Sequence, residues 1–186
     1  LRTLDQSRGE IRGVVRLLDS LLDIAGTQAL RGDLRGLAEV DLSDIAETLA
    51  DLYGASAEEL GIGFHARITP GVMLRADPMQ MMRLMSNLLD NAFKYVPSGG
   101  SVALILSPGP RIIVQDDGPG IPAADRTRIF ERYVRLDVGS GGGHGLGLAL
   151  ARAIAQRHEL SLHVEDAAPG ARFVVQLEDL AAGGSG

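Results

Sequence analysis

Residues 87–95 read Asn-Leu-Leu-Asp-Asn-Ala-Phe-Lys-Tyr, and this stretch decides the interpretation of the fold. It lies near the end of a segment that opens with Asp77-Pro78, a capping residue followed by a proline, which is typical of a helix start. Between residues 81 and 92 the apolar side chains recur every three or four positions, which indicates one face in a core. The sequence therefore predicts a helix from Pro78 to about Val96.

The polar residues of that helix form a stripe of their own. Asn87, Asn91 and Lys94 are four and three positions apart, so their side chains project from the same side. Two amide oxygens and an ammonium group suit a polyphosphate that carries Mg²⁺, because this ion prefers hard oxygen ligands and leaves several positions to water and phosphate. The competing interpretation is a solvated helix face, since asparagine and lysine are common on protein surfaces.

A second motif, Asp-Asp-Gly-Pro-Gly-Ile at residues 116–121, follows a predicted strand. A carboxylate buried at a strand end can accept a hydrogen bond from an amino group such as that of adenine, and the glycines allow a base to approach the backbone. Asp116 is the candidate for this role, whereas we expect Asp117 to be solvated. An ordinary surface turn is the alternative, because Asp-Gly-Pro-Gly is also a turn sequence.

A third motif, Gly-Gly-His-Gly-Leu-Gly-Leu at residues 142–148, leads into a predicted helix from Gly145 to His158. Exposed amide groups at the positive end of a helix dipole bind anions, so this segment suits phosphate. A flexible linker is the alternative. The preceding residues 131–143 show no clear periodicity and are rich in glycine and serine near their end, so we expect a mobile loop.

Helical and strand patterns alternate along the rest of the chain after residue 40. Ser43 is the expected N-cap of a helix that ends at Gly61. Its expected apolar face consists of Ile45, Leu49, Leu52 and Leu60. The remaining predicted elements are strands at residues 62–68, 72–75, 102–106, 111–115, 160–165 and 173–177 and a helix at residues 123–130.

The first thirty residues have a different character. Apolar side chains at residues 4–28 fall on alternating steps of three and four, which predicts a helix with a heptad seam. Such a seam needs partner helices, so we expect a homodimer through this helix. The predicted organisation is a bundle helix at 1–30, a linker at 31–40, a domain at 41–180 and a disordered tail at 181–186.

Composition limits the classes of function. The chain has 186 residues, a net charge of −6 and no cysteine, which excludes disulfides, thiolate catalysis and sulfur-ligated metals. The negative charge provides no basic surface for nucleic acid. No apolar run is long enough to span a membrane and no export leader is visible, so we expect no membrane contact and a cytoplasmic location.

Taken together, the motifs resemble the catalytic ATP-binding domain of two-component sensor histidine kinases. This domain belongs to the GHKL group with the Bergerat-type fold, which includes gyrase, heat-shock protein 90 and mismatch-repair ATPases. Four segments match in family order: an asparagine box at 87–95, a first glycine box at 116–121, a phenylalanine box at 128–133 and a second glycine box at 143–148. The resemblance implies an α+β fold, a two-layer sandwich of a mixed five-stranded sheet with three helices on one face.

The resemblance also implies roles for individual residues. Asn91 resembles the Mg²⁺ ligand of the family, Lys94 a phosphate contact and Tyr95 a wall of the adenine pocket. Asp116 resembles the partner of the adenine amino group, and the segment from about residue 118 to 145 resembles a lid over ATP. The other residues expected to contact the nucleotide are Gly118, Gly120, Ile121, Arg132, Tyr133, Gly143, His144, Gly145, Leu146, Gly147 and Leu148.

The same resemblance implies a reaction. Gyrase-like members have a glutamate base four residues before the Mg²⁺-binding asparagine, whereas this chain has Asn87, whose amide has no useful basicity. Asn87 and Lys94 are therefore the expected catalytic residues of a kinase that transfers the γ-phosphoryl group of ATP to a histidine, for relay to a response regulator. Residues 11–24 resemble the second helix of the phosphoacceptor hairpin, but no acceptor-histidine motif occurs in this chain.

A non-catalytic nucleotide-binding or docking module is the alternative. It is favoured by the missing acceptor motif and by Ala171, which stands where the family often has threonine. Among the four histidines, His144 in the glycine-rich segment is a candidate for phosphate contact, with a capping or exposed role as the other interpretation. We expect His65, His158 and His163 to be structural or solvated.

Overall fold

The structure of the chain, a computed structural model, describes residues 36–134 and 145–178. Within these ranges the chain forms seven strands, three α-helices and two short 3-10 helices. In chain order the elements are β1 (Ala38–Asp41), α1 (Leu42–Leu60), β2 (Gly63–Ile68), β3 (Met73–Ala76), α2 (Pro78–Tyr95), β4 (Ser101–Ser107), β5 (Arg111–Asp116), 3-10 helices at Ala123–Asp125 and Arg128–Phe130, α3 (Gly147–Arg157), β6 (Leu160–Asp166) and β7 (Ala171–Leu177).

Five of the strands form one mixed sheet in the order β2-β4-β5-β7-β6. β2 and β4 are parallel, with Phe64 opposite Val102, and every other pair in the sheet is antiparallel. β5 is the central strand, and β1 and β3 form a separate two-stranded ribbon. The mixed five-stranded sheet confirms the predicted α+β fold.

The core lies between one face of this sheet and the three α-helices. In β4 every second residue is buried, and Val102, Leu104 and Leu106 are at most 1% exposed. This alternation is expected for a sheet with one covered face. The main helical contributions to the core are Leu42, Ile45, Leu49, Met81, Leu84, Met85, Leu88, Leu89, Leu150 and Ile154.

α2 begins where the sequence predicts and ends within a residue of the predicted end. The Asp77 carboxylate accepts hydrogen bonds from the backbone N–H groups of Met79 and Gln80 at 3.0 and 3.2 Å, and Pro78 lies in the first turn. These bonds satisfy N–H groups that a helix start otherwise leaves unpaired. Burial of a large aliphatic side chain contributes about 1.5–3 kcal/mol, so the buried Leu and Met residues of this helix fix its position more strongly than helix propensity does.

The N-cap predicted for α1 is wrong. Asp41 caps the helix, and its carboxylate accepts a hydrogen bond from the Ser43 N–H at 2.9 Å. Aspartate caps a helix as well as serine does, and here it comes two residues earlier. The buried Ser43 hydroxyl instead accepts a 2.8 Å hydrogen bond from the Gly71 N–H. The predicted end of the helix is confirmed, because Gly61 has a φ of 65°.

The apolar face predicted for α1 is correct only in the first half of the helix. Ile45 and Leu49 are buried, whereas Leu52 and Leu60 are 62% and 58% exposed. In the second half Ala57 is buried instead. An apolar residue at helical spacing therefore does not by itself indicate burial here.

Three further elements differ from the predictions. Residues 38–41, at the end of the predicted linker, form β1 and pair with β3; a four-residue strand with two acidic side chains carries no detectable alternation. Residues 123–130 form two 3-10 helices rather than one helix, and neither has a side-chain cap. α3 begins at Gly147, because Gly145 has a left-handed φ of 67°.

Several predictions concern residues outside the described ranges. These are the heptad helix at 1–30, residues 31–35 of the linker, residues 135–143 of the mobile loop and the tail at 181–186. They stay predictions. Within residues 36–134 and 145–178, no helix is long and apolar enough to cross a membrane.

Candidate functional site

Asp116 ends the central strand β5 and is the buried acid that the sequence predicts. It is only 4% exposed, and its carboxylate accepts a hydrogen bond from the Gly118 N–H at 2.9 Å. Burial raises the pKa of Asp116, and the charge of Asp117 acts in the same direction. The N–H groups of Gly118 and Ala171 oppose this rise in pKa. A carboxylate has about four acceptor positions, so two N–H groups leave capacity for an amino group of a ligand.

The backbone packs closely around Asp116 at three glycines. A Cβ at Gly118 would lie 2.8 Å from Asp116 Oδ1 and 2.8 Å from the Tyr95 carbonyl oxygen. A Cβ at Gly170, where φ is 97°, would lie 1.8 Å from the Asp116 carbonyl oxygen. A Cβ at Gly120 would lie 3.0 Å from the Gly170 carbonyl oxygen. The end of α2, the turn after β5 and the turn before β7 therefore meet at one carboxylate.

The predicted polar stripe of α2 has a more buried and an exposed part. Asn87 and Asn91 are partly buried, whereas Lys94 is exposed. The Nδ2 atom of Asn87 is buried and has no hydrogen-bond partner among the described residues. A Cβ at Gly147 would lie 3.6 Å from Asn87 Oδ1, so the start of α3 rests against the middle of α2. A buried amide between two helices differs from the solvated face that was the alternative.

The start of α3 lacks a side-chain cap. Leu146 is the N-cap residue, and it is buried and makes no hydrogen bond to the first turn through its side chain. Gly147 and Leu148 open the helix, and the first backbone N–H groups of a helix have no acceptor within it. The helix dipole adds partial positive charge at this end. An anionic group therefore suits the space between the start of α3 and Asn87.

The other predicted contacts border these segments. The Lys94 ammonium lies 5.0 Å from the centre of the Tyr95 ring, within cation–π distance. Ile121 packs against the core. Arg132 and Tyr133 are exposed, and Arg132 lines a cavity of about 540 Å³ beside α3. Two predicted contacts, Gly143 and His144, lie outside the described residues.

Two features of the site were not found by sequence reasoning. Asp117 is not solvated, contrary to the prediction, because its carboxylate accepts hydrogen bonds from the N–H and the hydroxyl of Ser101. Gly170 was not singled out, although Pro169-Gly170 is a turn signal. Both features depend on strand pairing across the sheet, which local patterns do not indicate.

His158 is a structural histidine, as expected. It is buried at the end of α3, where Nε2 accepts a hydrogen bond from the Asp77 N–H at 3.2 Å and Nδ1 lies 2.8 Å from the Ile154 carbonyl oxygen. Burial lowers its pKa, which favours the neutral ring that this arrangement needs. His65 lies exposed on β2, and His163 lies partly exposed on β6.

The chemistry of the donors limits the metals that could bind. Within the described part of the chain, no group of three or more His, Cys, Asp or Glu side chains could hold a metal ion. The oxygen donors on the stripe of α2 are the amides of Asn87 and Asn91. A cation there would take most of its ligands from water or from a bound phosphate, as Mg²⁺ does.

Known proteins share both the sequence and the length of the described domain. The family model "Histidine kinase-, DNA gyrase B-, and HSP90-like ATPase" matches residues 76–180. Hybrid signal transduction histidine kinase D of Dictyostelium discoideum is 36% identical over 139 residues, which are 69% of this chain and 9% of that protein. Sensor protein QseC of Escherichia coli O157:H7 is 31% identical over 171 residues, which are 91% of this chain and 37% of that protein. The chain thus spans much less than two thirds of these relatives.

Solved structures of related proteins have the same fold. The mycobacterial sensor histidine kinase MprB superposes with a TM-score of 0.64 at 32% identity, over 75% of this chain and 95% of that structure. Full-length ShkA in complex with AMPPNP superposes with a TM-score of 0.64 at 27% identity, over 91% of this chain and 38% of that structure. With the sheet, the ordered motifs and the family match in agreement, the chain belongs to the family of histidine kinase-, DNA gyrase B- and HSP90-like ATPases, and these relatives are histidine kinases.

Proposed function

We propose that this chain is the ATP-binding catalytic core of a two-component sensor histidine kinase. It binds ATP with Mg²⁺ and transfers the γ-phosphoryl group to a histidine that this chain does not contain. The observation that carries the proposal is the meeting of three segments: the buried acid Asp116 with its glycine turns, the α2 stripe with Asn87, and the uncapped start of α3 at Gly147. Its histidine kinase relatives support the same function.

The purine end of the site is Asp116. An ionised carboxylate only accepts hydrogen bonds, so it is complementary to the amino group of adenine. Guanine carries a carbonyl oxygen at the corresponding ring position, and two acceptors facing each other in a buried site are unfavourable. The close backbone at Gly118 and Gly170 leaves no side chain between the acid and a flat ligand. This arrangement favours adenine nucleotides.

The phosphate end lies between α2 and α3. The net charge of −6 offers no general attraction to a triphosphate, so local groups must hold it. Lys94 supplies a positive charge, and the first N–H groups of α3 near Gly147 supply hydrogen-bond donors. The hard amide oxygen of Asn91 fits Mg²⁺, which when bound neutralises part of the phosphate charge. A transferable phosphoryl group would therefore be held by groups from two helices.

Transfer forms a bond between an imidazole nitrogen and the γ-phosphorus. The bond from phosphorus to the oxygen that bridges to the β-phosphate breaks, and ADP leaves with that oxygen and the bonding electron pair. The part of this chain is to position the phosphates and stabilise their charge through Lys94 and the start of α3. Asn87 cannot accept a proton from water at neutral pH, so the site favours transfer over hydrolysis.

A phosphotransfer assay tests the proposal. The chain is incubated with γ-labelled ATP, Mg²⁺ and a separately made acceptor hairpin that carries a histidine. Label on that histidine, in an acid-labile form, supports the kinase. ATP binding without transfer supports the alternative, a non-catalytic nucleotide-binding or docking module, which the missing acceptor motif and Ala171 favour. No binding of Mg-ATP by calorimetry would refute both.

The proposed partners follow from the proposed reaction. We infer that the phosphoryl group passes from the histidine to the receiver domain of a response regulator. A homodimer through residues 1–30 is proposed from their heptad pattern, and a cytoplasmic location from the need for ATP. Light scattering of the full chain and of a chain without these residues would test the dimer.

A further inference from the structure

We propose that Asp117 is a positioning residue for adenine recognition, which holds Asp116 in place by a clamp on Ser101; this inference rests on the proposed function. The Asp117 carboxylate accepts hydrogen bonds from the Ser101 N–H at 2.8 Å and from the Ser101 hydroxyl at 3.1 Å. The Asp117 N–H donates to the Ser101 carbonyl oxygen at 3.3 Å. Three hydrogen bonds between two residues thus tie the end of β5 to the start of β4.

The packing around Gly100 is built for this clamp. A Cβ at Gly100 would lie 2.5 Å from Asp117 Oδ1 and 2.8 Å from Val96 Cγ2. The Asp117 carboxylate therefore occupies space that any other residue at position 100 would fill. The Gly100 N–H donates to the Pro97 carbonyl oxygen at 2.9 Å, which closes the turn after α2 beside the carboxylate. The clamp consequently joins β4, β5 and the end of the helix that carries the polar stripe.

The clamp determines how Asp116 is presented. Successive residues of a strand point to opposite faces, so holding Asp117 on one side fixes the direction of Asp116 on the other. Asp116 has its own hydrogen bond to Gly118, but Gly118 is pressed between Asp116 and Tyr95 and follows the strand end if it moves. A hydrogen bond weakens steeply as it becomes misaligned. Loss of the clamp should therefore weaken adenine recognition, while the phosphate contacts from α2 and α3 remain.

Comparison of two nucleotides tests this inference. Inosine triphosphate has an oxygen in place of the 6-amino group of ATP and otherwise keeps the purine and the triphosphate. Calorimetry with Mg²⁺ gives both dissociation constants for the full chain and for Asp117→Ala. The wild-type chain should prefer ATP by about tenfold or more, as expected for a hydrogen bond to a charged acceptor. In Asp117→Ala the preference should fall to about twofold, with the affinity for inosine triphosphate changed by less than about threefold.

Asp117→Asn is the matched control. It removes the charge but keeps a carbonyl oxygen that can accept from the Ser101 N–H, so the preference for ATP should stay within about twofold of the wild-type value. A complete loss of preference in Asp117→Asn would mean that charge, not position, is responsible, and would overturn the proposal. An unchanged preference in Asp117→Ala, or equal weakening of both nucleotides, would overturn it as well.

A milder variant covers the case in which Asp117→Ala does not fold, as judged by circular dichroism. Ser101→Ala removes only the hydroxyl from the clamp, so the preference for ATP should fall by about two- to threefold. An unchanged preference in Ser101→Ala would then refute the role of the clamp. Failure of the proposed function itself would look different, because the wild-type chain would bind neither nucleotide or would show no preference between them.

Discussion

The backbone N–H of Tyr133 donates a 3.0 Å hydrogen bond to the carbonyl oxygen of Gly145. These residues stand on either side of residues 135–144, so the chain leaves and re-enters the described part of the structure at one point. Gly145 has a φ of 67°, and a Cβ there would lie 3.0 Å from Tyr133 Cα and from the Val134 carbonyl oxygen. The segment that resembles a lid is therefore closed at its base by a contact that only glycine permits.

Gly145→Ala should lower both the stability of the fold and the affinity for ATP. The added methyl group displaces Tyr133 and Val134, and the left-handed backbone costs about 1 kcal/mol more for alanine than for glycine. Gly109→Ala is the matched control, because Gly109 has a φ of 74° and nothing within 4 Å of a new Cβ. It should lose about 1 kcal/mol of stability and keep its ATP affinity. Urea denaturation and calorimetry measure both; equal ATP affinity in the two variants would contradict the role of the contact.

Asp116→Asn should lose most of its ATP binding while the fold stays at least as stable near neutral pH. Because burial raises the pKa of Asp116, its contribution to stability is present below the ordinary pKa and is lost as pH rises through the folded-state value. Asparagine carries no charge and keeps an acceptor for the Gly118 N–H. In urea denaturation, the stability of the variant relative to wild type should be greater at about pH 7 than at about pH 4. A relative stability that does not change with pH would contradict a buried, costly charge.

The stability of the fold should fall as pH decreases below 6.5, the ordinary pKa of histidine. Burial lowers the pKa of His158, and Arg157 acts in the same direction, against weaker opposing effects of Ile154 and Asp77. The unfolded chain binds a proton before the folded one does, so the contribution of this group is present above the ordinary pKa and is lost toward the folded-state value. His158→Gln should remove this part of the slope of stability against pH, and His65→Gln should retain it. Identical slopes in the two variants would exclude His158 as the cause.

Asn91→Ala should reduce the gain in ATP affinity that Mg²⁺ provides, by about tenfold or more if one ligand is lost. Asp90→Asn is the control on the same helix: Asp90 is exposed, and its carboxylate accepts a hydrogen bond from the Tyr53 hydroxyl. That variant should keep the full effect of Mg²⁺. Dissociation constants for ATP with Mg²⁺ and with a chelator supply the comparison. A wild-type response to Mg²⁺ in Asn91→Ala would remove this residue from the metal site.

Features with a strong local signal could be predicted from the sequence. Asp77-Pro78 marks the start of α2, and the β4–β5 hairpin is flanked by Pro-Gly turns, so these elements match the structure closely. Asp116 could be predicted as a buried acid because it directly follows an apolar strand. In each case the residues that determine the structure are near neighbours in the chain.

Features that depend on distant partners could not be predicted. β1 forms because β3 is available to pair with it, and its own four residues carry little signal. The burial of Asp117 depends on Ser101, which the strand register brings beside it. The exposure of Leu52 depends on which part of α1 reaches the core. Each of these is decided by packing rather than by the local pattern.

The contact between Gly170 and the Asp116 carbonyl oxygen also determines when the site is completed during synthesis. β7 follows the other strands of the sheet, and Arg172 must pair with Gln115 before the turn at Gly170 reaches β5. Contacts between residues so far apart in sequence form late, because the intervening chain must first lose conformational freedom. A nascent chain that has not yet released its last strand therefore has no complete purine site, and ATP stabilises only the finished domain.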